Sequence, residues 1–233
     1  MNEHYYYLLL NAFTLLVPLI RSFEPRIAYF KSFPSLAKAI ALTAGFFLIW
    51  DIIFTYQGVW GFNPRYLSGI YLAKLPLGEW LFFVTVPFSC VFIYRVLNYF
   101  WPNDPLKAWS GRITQLLIFF SLAMAFLNYE KLYTFYTFLF LGLVLAFLLY
   151  KGATHLGRFY RAYAVILIPF LMVNGILTGT GIEEEVVWYN NAENLGMRIL
   201  TIPVEDTFYG MLLILGVVTL YEWFMEKSAT QSD

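Results

Sequence analysis

Four carboxylic acids stand within or at the edges of long apolar segments of this 233-residue chain. Asp51 lies one turn inside an apolar block, Glu79 ends the motif PLGE, and Glu205 and Asp206 end the motif PVED. Carboxyl groups that are buried close together are suited to donating protons near neutral pH. The alternative is a helix-capping role, because proline followed by acids is also a favourable helix start.

The apolar segments that must position these acids have the composition of a membrane protein. Hydrophobic residues make up 60% of the chain and charged residues 13%, whereas a soluble domain has about 25% charged residues. Crossing a bilayer takes about 20 residues per helix, and backbone groups in lipid must be paired within the helix. We predict an all-α membrane protein with seven spans: 5–20, 36–56, 77–99, 113–127, 132–150, 163–178 and 204–224.

The basic residues predict the orientation of these spans. With seven spans, eleven Lys and Arg residues fall on the side of the C-terminus and four on the side of the N-terminus. Cytoplasmic loops carry the excess of basic residues. We therefore expect the C-terminus in the cytoplasm and the N-terminus outside, in a cell membrane of bacterial type.

The chain contains an internal repeat. Three residues have matches 123 positions later, and a further set has matches 127 positions later. The difference between the two offsets indicates one loop insertion in the second copy. A unit with an odd number of spans, repeated directly, would cross the membrane in the opposite orientation the second time. One extra span between the two copies restores the original orientation. We predict two parallel three-helix repeats, 1–104 and 131–227, joined by a linking helix in 105–130 and followed by a disordered tail, 228–233. The matching sets are Asp51, Thr55 and Gly58 with Asn174, Thr178 and Gly181, and Phe62-Asn63, Gly69, Pro76 and Phe82 with Tyr189-Asn190, Gly196, Pro203 and Tyr209.

In this topology the repeated motifs converge on the outer face, where they could form one cavity. Asp51 and Asn174 are equivalent, either as a hydrogen-bonded contact between helices or as a polar clamp on the acids. Asn63 and Asn190 fall in loops, where turn formation is the simpler interpretation. The candidate substrate-binding residues are Trp60, Phe62, Asn63, Pro76, Asn174, Tyr189, Asn190 and Pro203.

Several other functional classes find no support in the sequence. A net charge of zero gives no indication of a nucleic-acid partner, and the single cysteine, Cys90, excludes an internal disulfide. His, Cys and acidic residues show no metal-ligand spacing, so we expect no metal. Glu183, Glu184 and Glu185 form a charge run typical of a solvated loop.

Aromatic residues make up 21% of the chain, and many of them are expected in interfacial belts. Others fall inside spans, where packing is the simpler explanation. A cavity lined by aromatic faces would also stabilise carbocations. Acids and aromatic rings in a dry cavity are suited to protonating an alkene and guiding its cyclisation.

The motifs PLGE and PVED and the loop FTYQGVWGFNP resemble those of membrane-integral, non-flavin lycopene cyclases. In some members two three-span subunits are separate, and in others they are fused, as they would be in this chain. The resemblance implies that an acid protonates the end of linear lycopene, a six-membered ring closes, and proton loss gives a β-ionone ring. Gly78 stands where the family commonly has an acid.

The resemblance also implies roles and partners. Glu79 and Glu205 would carry the proton chemistry, with Asp206 and Asp51 tuning or relaying it. The reaction is redox-neutral, so we expect no cofactor, and the sequence has no G-x-G-x-x-G flavin fingerprint. Lycopene would enter laterally from the bilayer.

Other functions stay open at this point. A related enzyme could cyclise another prenyl chain or add water to the same double bond. A transporter of three-plus-one-plus-three helices shares the repeat logic but needs polar groups at mid-membrane. A retinal photoreceptor would need a lysine in the last span, and 204–226 contains none. The ring type, the number of ends cyclised and the oligomeric state are left undetermined.

Overall fold

The computed structural model describes residues 3–230, and seven α-helices account for most of them. Short 3₁₀ turns at Glu3–Tyr5, Tyr29–Ser32 and Pro64–Tyr66 connect or precede the longer elements. The helices are α1 (Tyr6–Arg21), α2 (Phe33–Gln57), α3 (Leu77–Phe100), α4 (Ser110–Leu127), α5 (Leu132–Tyr150), α6 (Leu156–Leu177) and α7 (Val204–Thr230).

Six of these helices, α2 to α7, are long and apolar enough to cross a membrane. The prediction of an all-α integral membrane protein is therefore confirmed. Helix α1 has 16 residues, which gives a length of about 24 Å, less than the ~30 Å of a bilayer core. A span at α1, and hence a total of seven, stays a prediction.

Two helices extend beyond the predicted spans. Helix α6 begins at Leu156 rather than at 163, because Phe159 and Tyr160 are buried in the helix bundle and continue its apolar face. Helix α7 continues to Thr230, which corrects the predicted disordered tail for residues 228–230. There the Thr230 hydroxyl donates to the carbonyl of Glu226 at 2.7 Å. The rest of the predicted tail lies outside the described residues.

Three short antiparallel strand pairs, which the sequence analysis did not predict, lie in the loops before α3 and α7. Strands of two or three residues are too short to show an alternating pattern. The pairs are β1 (Trp60–Phe62) with β4 (Val187–Tyr189), β2 (Tyr71–Leu72) with β3 (Leu75–Pro76), and β5 (Arg198–Ile199) with β6 (Ile202–Pro203).

The strand pairs follow the offset of the sequence repeat. The β5–β6 pair lies 127 residues after the β2–β3 pair. In the β1–β4 pair, Gly61 faces Trp188, its own counterpart 127 residues later. The flanking positions pair crosswise, Trp60 with Tyr189 and Phe62 with Val187. This register is that of a local two-fold axis passing between Gly61 and Trp188.

The helix packing also follows the repeat, with equivalent helix contacts in the two halves. Helix α1 packs on α3 and helix α5 on α7, while α2 packs on α7 and α6 on α3. Helix α4 packs chiefly on α5. The result is that the α2–α3 loops of one half and the α6–α7 loops of the other meet at one end of the bundle.

Gly61 should be intolerant of a side chain, because an added Cβ would overlap the indole ring of Trp188 across the strand pair. We expect Gly61→Ala to destabilise the protein by about 1–3 kcal/mol through overpacking. The measurement is thermal unfolding of purified protein in detergent. Gly45→Ala in α2 is the matched control, since nothing lies within 4 Å of its added Cβ. Equal melting of the two variants would contradict a rigid Gly61–Trp188 contact.

Candidate active site

A small cavity of about 50 Å³ lies where the two sets of loops meet. It is bounded by the C-terminal ends of α2 and α6 and the N-terminal ends of α3 and α7. Helix α2 ends in a left-handed turn at Gly58, with φ of 71°, which directs the chain into β1. Three acids line the cavity: Asp51 and Glu79 from the first half and Asp206 from the second.

Asp51 and Glu79 form a buried pair of carboxyl groups whose side chains are next to each other. The indole N–H of Trp60 donates to Oδ1 of Asp51, and the hydroxyl of Tyr7 donates to Oε2 of Glu79. Oδ2 of Asp51 is buried and has no donor within residues 3–230. Ionised carboxylates only accept hydrogen bonds, so a single proton between the two groups would satisfy this oxygen.

Asp206 is in a different environment, because three side chains donate to it. The Tyr133 hydroxyl lies 2.5 Å from Oδ1, and the Tyr189 hydroxyl and the Asn174 amide lie 3.0 and 3.1 Å from Oδ2. Burial, and then the nearby Asp206 carboxylate, raise the pKa of Tyr189 well above its usual value, so Tyr189 stays a donor. This arrangement suits Asp206 to the role of a hydrogen-bond acceptor.

Glu205, by contrast, does not line the cavity. Its Oε1 accepts hydrogen bonds from the Thr134 hydroxyl and the Leu195 backbone N–H, each at 2.7 Å. Its side chain is fully buried and ties α7 to α5 and to the preceding loop. The structure therefore brings Asp51, Glu79 and Asp206 together and places Glu205 outside their cavity.

The two halves use the same tyrosine–acid arrangement. Glu79 and Asp206 lie 127 residues apart, and their donors Tyr7 and Tyr133 lie 126 residues apart. Neither tyrosine was among the predicted site residues, although each lies at the start of the first helix of its repeat. Gly78 is the counterpart of Glu205, and a Cβ on Gly78 would come within 2.6 Å of the Tyr7 ring. Tyr7 thus occupies the space beside Gly78.

Aromatic rings surround the acids. Trp60, Tyr133, Tyr189 and Tyr209, here named the aromatic cluster, have neighbouring ring centroids 5.1 to 6.1 Å apart. Each of them lines the cavity, as do Phe62, Phe82 and Phe170. Ring faces carry negative electrostatic potential and attract cations. The cavity therefore combines proton-holding groups with walls that suit a carbocation.

The other predicted site residues have local roles in the loops. Oδ1 of Asn63 and Oδ1 of Asn190 each accept from the backbone N–H two residues later, at 3.1 Å. Both asparagines therefore form turns, which is the simpler of the two roles considered for them. Pro76 and Pro203 end β3 and β6 and are buried without lining the cavity. Among residues 3–230, no group of three His, Cys or acidic side chains could hold a metal ion.

Together, the helical membrane fold and this cavity define an integral membrane protein that encloses three carboxyl groups within aromatic walls. The family model described as lycopene cyclase matches residues 4–97 and 130–224. The chain therefore belongs to the lycopene cyclase family, in its fused two-repeat form. Comparisons with curated proteins and with solved structures gave no match. Family membership supports lycopene cyclase activity and a carotenoid substrate.

Removing the Tyr133 hydroxyl should impair the site without disturbing α5. Tyr133→Phe deletes a donor to a buried carboxylate, a hydrogen bond worth about 1.5–3 kcal/mol. We expect carotenoid cyclisation, measured as product formed per amount of membrane-inserted protein, to slow by roughly tenfold or more. Tyr136→Phe, on the same helix with its ring against Phe54 and Phe140, is the control. A Tyr133→Phe variant as active as the control would show that this hydroxyl is dispensable.

Proposed function

We propose that the chain is a lycopene β-cyclase that closes β-ionone rings by redox-neutral proton chemistry. A proton adds to the terminal double bond of the linear carotenoid and leaves a tertiary cation. The neighbouring double bond attacks it, a carbon–carbon bond closes the ring, and a ring proton is lost. One proton is consumed and one released. The observation that carries the proposal is the convergence of Asp51, Glu79 and Asp206 within aromatic walls.

The Asp51–Glu79 pair is the proton donor in this proposal. Two adjacent carboxyl groups in an apolar cavity cannot both be ionised at low cost, so one of them retains a proton. Trp60 and Tyr7 each donate to one member of the pair and fix its position. The cavity-facing proton is then held close to where the end of an alkene would lie.

Asp206 is the acceptor. Its three donors, Tyr133, Tyr189 and Asn174, offset part of the cost of ionising this buried carboxyl group. A negative charge on Asp206, which lines the same cavity as the acid pair, would stabilise the cation as it forms, together with the aromatic cluster. Asp206 then removes the ring proton.

Glu205 is proposed as a positioning residue. The resemblance gave it a share of the proton chemistry, but its hydrogen bonds to Thr134 and Leu195 hold it outside the cavity. Its bonds fix the start of α7, where the adjacent Asp206 must face inward. The catalytic acid of the PVED motif is therefore Asp206.

The arrangement of the helices is proposed as three plus one plus three: α1 to α3, the linking helix α4, and α5 to α7. The 127-residue offset between the strand pairs and the crosswise helix packing support it. With α1 as a seventh span, the N-terminus and the acid-bearing loops face outward and the C-terminus is cytoplasmic.

The decisive experiment is expression in a bacterial host that accumulates lycopene, with pigments analysed by chromatography. The native chain should convert lycopene into products with β-rings. Glu79→Gln and Asp206→Asn should leave lycopene unchanged, because each removes a carboxyl group from the cavity while keeping its shape. Glu205→Gln is the matched control: the amide oxygen can still accept from Thr134 and Leu195 and so keep the start of α7 in place, while the carboxyl group is lost outside the cavity.

The outcomes separate the alternatives. Unchanged lycopene with well-inserted native protein would exclude lycopene cyclisation. Hydroxylated products would indicate a hydratase built on the same acid chemistry. Loss of activity in Glu205→Gln, with Glu79→Gln active, would reverse the proposed roles of the acids.

The orientation has its own test. A fluorescent protein that folds only in the cytoplasm, fused after Asp233, should be bright. The same reporter fused at the N-terminus should be dark. The opposite result would invert the topology derived from the basic residues.

A further inference from the structure

A second, larger space adjoins the acid cavity. It is an apolar groove of about 700 Å³ between α1, α3 and α6, here named the α1/α3/α6 groove. Its rim faces the membrane, since Phe13 is 78% exposed and Met172 is 66% exposed. Phe82 and Phe170 line both the groove and the acid cavity. The two spaces are therefore adjacent across these two rings.

The internal repeat implies a counterpart groove in the other half, and the structure has one. The α2/α5 groove is smaller, about 260 Å³. The counterparts follow the repeat offsets, 123 residues for α2 and α6 and 126 residues for α1 and α5. Four equivalent positions differ most in side-chain size, and the α2/α5 groove has the larger residue at each. The pairs, with the α1/α3/α6 residue first, are Val173 and Trp50, Pro169 and Phe46, Leu10 and Tyr136, and Thr14 and Phe140.

These larger side chains close the α2/α5 groove toward the cavity. The Trp50 ring packs 5.1 Å from Tyr209 and 5.2 Å from Phe140, measured between ring centroids. Trp50 also contacts Phe54 edge-on at 5.6 Å. Within residues 3–230, no lining residue is shared between the α2/α5 groove and the cavity.

We propose that the α1/α3/α6 groove is the single binding channel for the polyene chain of the substrate, whose end group passes between Phe82 and Phe170 into the acid cavity. This assignment rests on the proposed cyclase function. The occupant is the middle of the same linear carotenoid molecule, and the α2/α5 groove takes no substrate.

The dimensions support this occupant. A carotenoid is about as long as a bilayer is thick, about 30 Å, so at most an end group can enter the small acid cavity, and the chain cannot. The remainder must leave through an apolar passage, and the α1/α3/α6 groove shares Phe82 and Phe170 with the cavity. A loop pocket shares Phe62 with the cavity, but it is lined by Glu184 and Glu185 and does not suit a polyene. Its membrane-facing rim lets a lipid-dissolved chain enter without crossing water.

The test fills this groove with the side chains found in its counterpart. Val173→Trp installs the residue of position 50, and Thr14→Phe installs that of position 140 on the opposite wall. We expect each to slow lycopene conversion by roughly tenfold or more, through steric exclusion of the chain. Val165→Trp is the matched control: the same substitution on α6, at a membrane-exposed position outside the groove.

The membrane-inserted amount and the melting temperature are measured for every variant. If Val173→Trp inserts poorly, the conversion rate of Thr14→Phe alone decides whether the groove is the channel. Slow conversion in the groove variants with a native-like Val165→Trp supports the channel. Native rates in well-inserted Val173→Trp and Thr14→Phe overturn it, as does an equal loss in Val165→Trp. An inactive native chain would instead remove the proposed function, and the channel with it.

Discussion

The structure depends on the cost of placing carboxyl groups in an apolar membrane protein. An unpaired buried charge is expensive, so each acid must be surrounded by donors or share a proton. Tyr7 donates a hydrogen bond to Glu79, and Trp60 donates one to Asp51. Asp206 accepts hydrogen bonds from Tyr133, Tyr189 and Asn174. These donors come from α1, α5, α6 and the β1–β4 pair. The position of almost every element at this end of the bundle is therefore tied to one of three acids.

The internal repeat explains how one end of the bundle can collect so many of these groups. Residues at equivalent positions meet around the axis between Gly61 and Trp188. A tyrosine–acid pair from each half then faces the same cavity. The halves have nonetheless diverged where it matters for chemistry: Asp51 in one half is Asn174 in the other, so one acid gains a carboxyl neighbour and the other gains an amide donor. An acid and a base can thus arise from two copies of one motif.

Much of this arrangement could be predicted from the sequence, because it follows from hydropathy and from the repeat. Six of the predicted spans correspond to helices long and apolar enough to cross a membrane, and residues of both repeats, among them Asp51 and Asn174, line one cavity. Side-chain direction could not be predicted. Glu205 and Asp206 are neighbours at a helix start, and only their partners, Thr134 and Tyr133, distinguish which acid faces inward. The tyrosines were missed because a buried donor and an interfacial tyrosine have the same sequence signature at a helix end.

The contact between Gly78 and Tyr7 has a consequence for how such a chain can change. An acid at position 78 would match Glu205, but its Cβ would collide with the Tyr7 ring. Shrinking Tyr7 would make room and at the same time remove the donor to Glu79. The second half carries Glu205 at the equivalent position together with Tyr133, so an acid there is compatible with a tyrosine only where the ring lies farther away. In the first half, the size of residue 78 and the placement of the hydroxyl that holds Glu79 are therefore coupled through one ring.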